Sequence, residues 1–194
     1  MKTLCITGGI ASGKSLVSQY LKSLGYTLID SDVITHELLL KEAVLKEINA
    51  FFPSAFVAGS LDKKKLADII FSDKEAKKHL DDIMHQKVYE AIFTELKKHK
   101  HEQIVVIDVP LVYETNKQDL FDYVLLVYVD YETQLNRLMS RNQYTKQEAK
   151  NRILSQSSLE EKVKKATFVV DNRYTITDTY NQVNDILKII LKEV

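Results

Sequence analysis

With 27 lysines and arginines against 27 aspartates and glutamates in 194 residues, the chain has no net charge to draw it onto nucleic acid or an anionic membrane. Its hydrophobic content of 45% and charged content of 28% suit a soluble globular protein with one sizeable core, too short for two full domains. A single cysteine, Cys5, excludes an internal disulfide and fits a reducing compartment.

The first apolar run, Thr3–Thr7, follows directly on Met1-Lys2, so no signal peptide is expected. No run approaches membrane-spanning length, so the cytoplasm is the expected location. Cys5 sits inside this run and is expected to be a buried strand residue. Gly8-Gly9-Ile10-Ala11-Ser12-Gly13-Lys14-Ser15 then matches the phosphate-binding pattern G-x-x-x-x-G-K-[ST] in full. A helical pattern, Leu16, Val17, Tyr20, Leu21 and Leu24, leads out of it. Strand, glycine-rich loop and helix in that order aim successive backbone N–H groups and a helix N-terminus at one point, where an anion binds. The residues predict a site for ATP, with Ala11, Ser12, Gly13, Lys14, Ser15 and Leu16 contacting the nucleotide. Lys14, read as an exposed loop lysine, would reach the β- and γ-phosphates, and the Ser15 hydroxyl would ligate Mg²⁺.

Further apolar runs rich in β-branched residues occur at Leu28–Ile29, Ile104–Val109, Tyr123–Val129 and Phe168–Val170. They are continuous rather than alternating, as in parallel strands covered on both faces, and helical periodicity fills the intervals. The fold class is therefore α/β, a doubly wound P-loop sheet of about five parallel strands flanked by helices. Asp30-Ser31-Asp32 follows the second run at the carboxyl edge, where ligands bind in open α/β sheets. A carboxylate there can accept a hydroxyl proton or help organise Mg²⁺, and aspartate also caps helices.

About seventy residues separate the second run from the third, more than a crossover helix needs. Ala76, Leu80, Ile83, Met84, Val88, Ala91, Ile92 and Leu96 trace one face of a long helix, with Ser72 and Glu75 at capping-box spacing before it. Shorter helical patterns precede it near Asp32–Leu40 and Lys65–Phe71. Residues 33–100 are read as a helical insertion that holds a second substrate, and residues 1–32 with 101–194 as the nucleotide-binding core. Within that core Tyr131–Ala166 is broken by two further capping boxes, Thr145 with Glu148 and Ser158 with Glu161, as expected of a lid. The last helix, near Ile176–Leu191, turns Tyr180, Val183, Ile186, Leu187 and Ile190 to the sheet.

Val105-Val106-Ile107-Asp108 ends a strand on a carboxylate suited to Mg²⁺, although so short a pattern is common. All four arginines fall late, at 137, 141, 152 and 173. Arg137 and Arg141 share a helical face, and their planar forks suit a transferring phosphoryl group. Asn116-Lys117-Gln118-Asp119 matches a guanine-reading tetrapeptide, but it stands well past its strand rather than directly after it and lacks the accompanying switch glycine. A GTP-dependent switch is therefore disfavoured; another small P-loop kinase, acting on a nucleoside monophosphate or a small metabolite, remains open.

In order and spacing these segments resemble the dephospho-coenzyme A kinase family nearly end to end. The resemblance is carried by Thr7–Ser15, Asp30-Ser31-Asp32, Pro110-Leu111-Val112-Tyr113-Glu114, Gln134 and Leu135 through Arg137 and Arg141, Arg152-Ile153 with Gln156, and Asp171-Asn172. It implies transfer of the ATP γ-phosphate to the ribose 3′-hydroxyl of dephospho-coenzyme A. It also implies Asp32 as base, Lys14 with Arg137 or Arg141 on the phosphoryl group, and Asp171-Asn172 near the nucleotide. The sequence departs from the family's pattern at Ala11, where glycine is usual, and at Leu16, Gln86, Asn142 and Arg173-Tyr174.

Overall fold

The computed structural model describes residues 1–193. The chain forms two compact units: Met1–Asp30 with the chain from Lys98 onward, and Ser31–Lys97. The first unit begins with β1 (Lys2–Gly8), α1 (Lys14–Ser23) and β2 (Thr27–Asp30).

The second unit holds α2 (Ser31–Leu38), α3 (Glu42–Phe51), a hairpin of β3 (Phe56–Val57) and β4 (Ser60–Leu61), α4 (Lys63–Ser72) and α5 (Lys74–Leu96). The helices expected around Asp32–Leu40, Lys65–Phe71 and along residues 76–96 are present. The hairpin is an addition to the all-helical reading. It is closed by Ala58 and Gly59, both at positive φ (49° and 82°), a turn whose twist matches that of the strands it joins. The expected cap of α5 moves by one residue. Ser72 Oγ bonds back to the carbonyls of Asp68 and Ile69 in α4, while the Asp73 carboxylate accepts from the N–H groups of Glu75 and Ala76. A carboxylate at that position gains from the helix dipole as well as from the hydrogen bonds, so aspartate displaces serine as the cap. Along α5, Met84, Val88, Tyr89, Ile92 and Leu96 are buried, and α2 and α4 pack against it.

The first unit resumes with β5 (Ile104–Asp108), β6 (Tyr123–Tyr128), α6 (Tyr131–Asn142), α7 (Lys146–Leu154), α8 (Leu159–Val163), β7 (Phe168–Asp171) and α9 (Ile176–Lys192). Its sheet is five-stranded and parallel, in the order β2-β5-β1-β6-β7. The chain leaves β1 toward one edge and returns to fill the other, so the crossovers diverge at the carboxyl end of β1. The phosphate loop stands at that point. One face of the sheet packs Leu4, Ile6, Val106, Leu125 and Val127 against Val17 and Leu21 of α1 and Val183, Leu187 and Ile190 of α9. On α9, Tyr180, expected to turn to the sheet, instead lies flat on Tyr20 of α1, ring centroids 3.8 Å apart. Leu126 on the other face packs with Leu159 of α8. Burial on both faces is why the strands read as continuous apolar runs. Cys5 has no exposed surface, and burial pushes its thiol well above the ordinary range, so it stays protonated.

Candidate active site

Residues 9–13 carry β1 into α1. Ser12 N–H donates to Gly9 O (3.1 Å) and Leu16 N–H to Gly13 O (2.9 Å), so these two amides are turned into the loop's own backbone. The helix begins at Lys14 after Gly13, which has φ 90° and makes no side-chain cap. The amides that open α1 therefore keep their capacity for an external acceptor, and the helix dipole adds positive potential there.

The loop is held from outside by three amide side chains. Gln134 Nε2 on α6 donates to Ile10 O (2.7 Å), and Ile10 N–H donates to Gln156 Oε1 (2.9 Å). Asn172 Nδ2, just past β7, donates to Ser12 O (2.8 Å). Two carbonyls that would repel phosphate are in this way tied away from it. The approach is so close that a Cβ on Gly13 would stand 2.0 Å from Asn172 Nδ2, and one on Gly9 2.6 Å from Gln134 Nε2. A Cβ at either position would force the bracing amide to move, and at Gly13 the positive φ adds backbone strain. Asn172 is itself fixed, since Thr179 Oγ1 donates to its Oδ1 (2.8 Å) and its N–H donates to Tyr128 O (2.8 Å).

Ala11 has φ 59°, a left-handed conformation that costs a side-chain residue about 1 kcal/mol. Its methyl group and Ile10 pack on Leu135, Leu138, Ala149 and Ile153, the small core between α6 and α7. Packing thus offsets strain at a position where the family pattern has glycine.

Lys14 is half-buried rather than exposed, and its ammonium pairs with Asp108, the last residue of β5. Asp108 is 4% exposed and also accepts from Ser18 Oγ (2.6 Å). The reading of Lys14 as a loop lysine without packing is thereby corrected: a buried carboxylate at the sheet edge draws it in. Asp30 is the register neighbour of Asp108 across β2 and β5, so two carboxylates end adjacent strands. Asp32 stands in the first turn of α2, within the second unit. Ser15 is exposed at the start of α1.

Of the two candidate arginines, Arg137 reaches the loop. Its Nη2 donates to Asn172 O (2.9 Å), and its Nη1 would lie 3.8 Å from a Gly13 Cβ. Arg141 is exposed near the end of α6 and donates from Nε to Asn142 Oδ1 (2.8 Å). Arg152 lies over the Tyr144 ring, 4.5 Å from its centroid. Arg173 forks onto Asp171 (2.6–3.1 Å) beside the rings of Tyr128 and Tyr174, and this guanidinium holds the Asp171 carboxyl below its ordinary range. The caps at Thr145 and Ser158 are as expected, the first with both reciprocal hydrogen bonds. Ser18 and Thr179 escaped the sequence reading, because a hydroxyl on a helix gives no signal of a distant partner.

No group of three or more His, Cys, Asp and Glu among the described residues converges on a metal position. A hydroxyl beside a phosphate loop is nonetheless the protein ligand that a phosphate-bound Mg²⁺ takes, since that ion keeps few protein ligands. Among the described residues no helix is long and apolar enough to cross a membrane.

A braced phosphate loop at the switch point of a parallel sheet, with a lysine and an arginine beside it, defines a kinase of the P-loop class. The dephospho-CoA kinase family model matches residues 2–178, and the chain belongs to that family. A dephospho-CoA kinase of Fusobacterium nucleatum is 39% identical over 180 residues, covering 92% of this chain and 93% of the relative. A solved Thermus thermophilus structure superposes with a TM-score of 0.84 at 32% identity, covering 96% of each chain. The solved dephospho-CoA kinase of Campylobacter jejuni gives 0.75 at 29%, covering 99% of this chain and 98% of that one.

Proposed function

We infer that the protein transfers the γ-phosphate of ATP to the ribose 3′-hydroxyl of dephospho-coenzyme A, the last step of coenzyme A synthesis, as a cytoplasmic enzyme. The observation that carries this reading is the family match across residues 2–178, laid over a phosphate loop whose carbonyls are tied back.

In this reading the loop amides and α1 hold the triphosphate, and Lys14, positioned by Asp108, neutralises its β- and γ-phosphates. The Ser15 hydroxyl would hold Mg²⁺, which would supply neutralisation of the triphosphate's charge. Arg137 spends one N–H on Asn172 O, and the rest of its fork faces the charge that develops on the moving phosphoryl group. We assign Asp32 as the base. It takes the 3′-hydroxyl proton as that oxygen bonds to phosphorus, while the bond from phosphorus to the bridging oxygen breaks and ADP leaves. The acceptor is held by residues 33–100, and residues 131–166 close over both substrates.

The decisive experiment offers labelled ATP with a panel of acceptors. Label is expected in coenzyme A, on the 3′ position, when dephospho-coenzyme A is present. Preferential labelling of a nucleoside monophosphate or another small metabolite would overturn the acceptor assignment and leave the kinase class standing.

A further inference from the structure

Lys162 on α8 is 1% exposed and heads the fully buried side chains by size. Burying an ammonium costs several kcal/mol unless a counter-charge accompanies it. The counter-charge is Glu114, in the connection after β5, whose Oε1 lies 2.7 Å from Lys162 Nζ. The contact is an ion pair without hydrogen-bond geometry: among the described residues Nζ has no hydrogen-bond partner, and neither does the buried Glu114 Oε2. Two apolar side chains of the same volume would serve stability as well as a pair satisfied in this way. Its value lies in what it holds.

The same Glu114 Oε1 accepts the Ser157 N–H at 3.1 Å. Ser157 belongs to the short connection between α7, which ends at Leu154, and α8, which Ser158 caps. Its neighbour Gln156 accepts the Ile10 N–H of the phosphate loop. On α8, Leu159 lies against the loop, 3.2 Å from where a Gly9 Cβ would stand. One half-buried carboxylate therefore fixes the backbone beside Gln156, and one buried ammonium fixes that carboxylate and the helix that follows.

We propose that Glu114 and Lys162 are positioning residues of the nucleotide site. Their ion pair sets the Ser155–Ser158 connection so that Gln156 keeps the Ile10 amide turned out and the remaining loop amides turned toward the triphosphate. The proposal rests on the assignment of the loop as the ATP site.

Lys162→Met alone leaves the half-buried Glu114 carboxylate without its counter-charge and is expected to destabilise the fold, so the test uses Glu114→Met with Lys162→Met, which replaces the pair at similar volume. ATP affinity is read by titration calorimetry, alongside thermal unfolding and KM for each substrate. The double variant is expected to melt at or above the wild-type midpoint, yet to bind ATP about tenfold more weakly, the scale of one net hydrogen bond. KM for the acceptor stays within about twofold, because only nucleotide binding uses the connection. Gln156→Ala shows the same loss of ATP affinity and adds little in the double variant's background. Glu114→Gln with Lys162→Met, which keeps an acceptor for Ser157, recovers most of the affinity. Wild-type ATP affinity in the double variant would overturn the proposal, as would a lowered melting midpoint with unchanged ATP affinity, or full additivity with Gln156→Ala. Failure of the wild-type protein to bind ATP would instead overturn the reading of the loop, and the proposal with it.

Discussion

Replacing Asn172 by alanine removes the brace on the Ser12 carbonyl. The two main-chain hydrogen bonds of residue 172, to Tyr128 and from Arg137, survive the change. The side chain's own two are lost. Thr179 Oγ1 retains the Thr175 carbonyl at 3.2 Å, so its share is about 0.5–1.5 kcal/mol. Ser12 has no exposed surface, and a carbonyl stranded there without its donor costs about 1–3 kcal/mol. The sum, about 1.5–4.5 kcal/mol, corresponds to a fall of about 3–18 °C in the unfolding midpoint for a chain of this length. ATP affinity should fall as well, because the freed peptide can turn its oxygen toward the phosphates.

Thermal unfolding and ATP titration measure the two effects on one preparation. A loss below about 0.5 kcal/mol with unchanged ATP affinity would refute the brace. A second variant checks the geometry independently. Gly13→Ala in the wild-type background suffers both positive-φ strain and a Cβ 2.0 Å from Asn172 Nδ2. With Asn172→Ala already in place only the strain remains, about 1–2 kcal/mol. Strictly additive costs for the pair would mean that the two groups do not collide.

Lys14→Ala should abolish most transfer and also cost about 1–3 kcal/mol, since it leaves Asp108 buried with only Ser18 as donor; near-normal turnover would remove Lys14 from the site. Asp32→Asn should lower kcat by about 10²–10⁴ with ATP affinity kept, and a silent substitution would reduce Asp32 to a helix-end residue. Hydrogen exchange over residues 137–156 should slow when ATP and acceptor bind together, and unchanged exchange would argue against closure. Acid should destabilise the fold through carboxyls held below their ordinary range. Asp130 is so held by the Thr133 amide and Asp171 by the Arg173 guanidinium; at Asp122 burial pulls upward, but the hydrogen bonds from Thr3 outweigh it. A depressed folded-state value gives stability that is complete above the unfolded value, about pH 4, and is lost as pH falls through the folded ones. Denaturant midpoints measured from pH 6 to pH 2 should therefore hold steady to about pH 4 and then drop, and a flat profile across pH 4–2 would contradict the assignment.

The amino-acid sequence determined the parts whose physics is local. Gly8–Ser15 forms an anion loop because its glycines, the strand before it and the helix after it are contiguous. The strands were legible as apolar runs, most strongly the central β1, β5 and β6, which are buried on both faces, and Thr145 with Glu148 marked a helix start through hydrogen bonds spanning three residues. The tertiary structure alone decided what holds that loop in shape. Gln134, Gln156 and Asn172 brace it from 124 to 160 residues away, and a glutamine in a helical segment looks the same in sequence whether it meets solvent or a backbone carbonyl. The pairing of Lys14 with Asp108 spans 94 residues and depends on β1 and β5 lying side by side in parallel register. Even a local choice such as the cap of α5 was settled between competing neighbours, where the Asp73 carboxylate took the helix amides and left Ser72 to bond back into α4. Sequence fixes which groups can donate or accept over one helical turn; which distant group meets them depends on the order in which the strands come together.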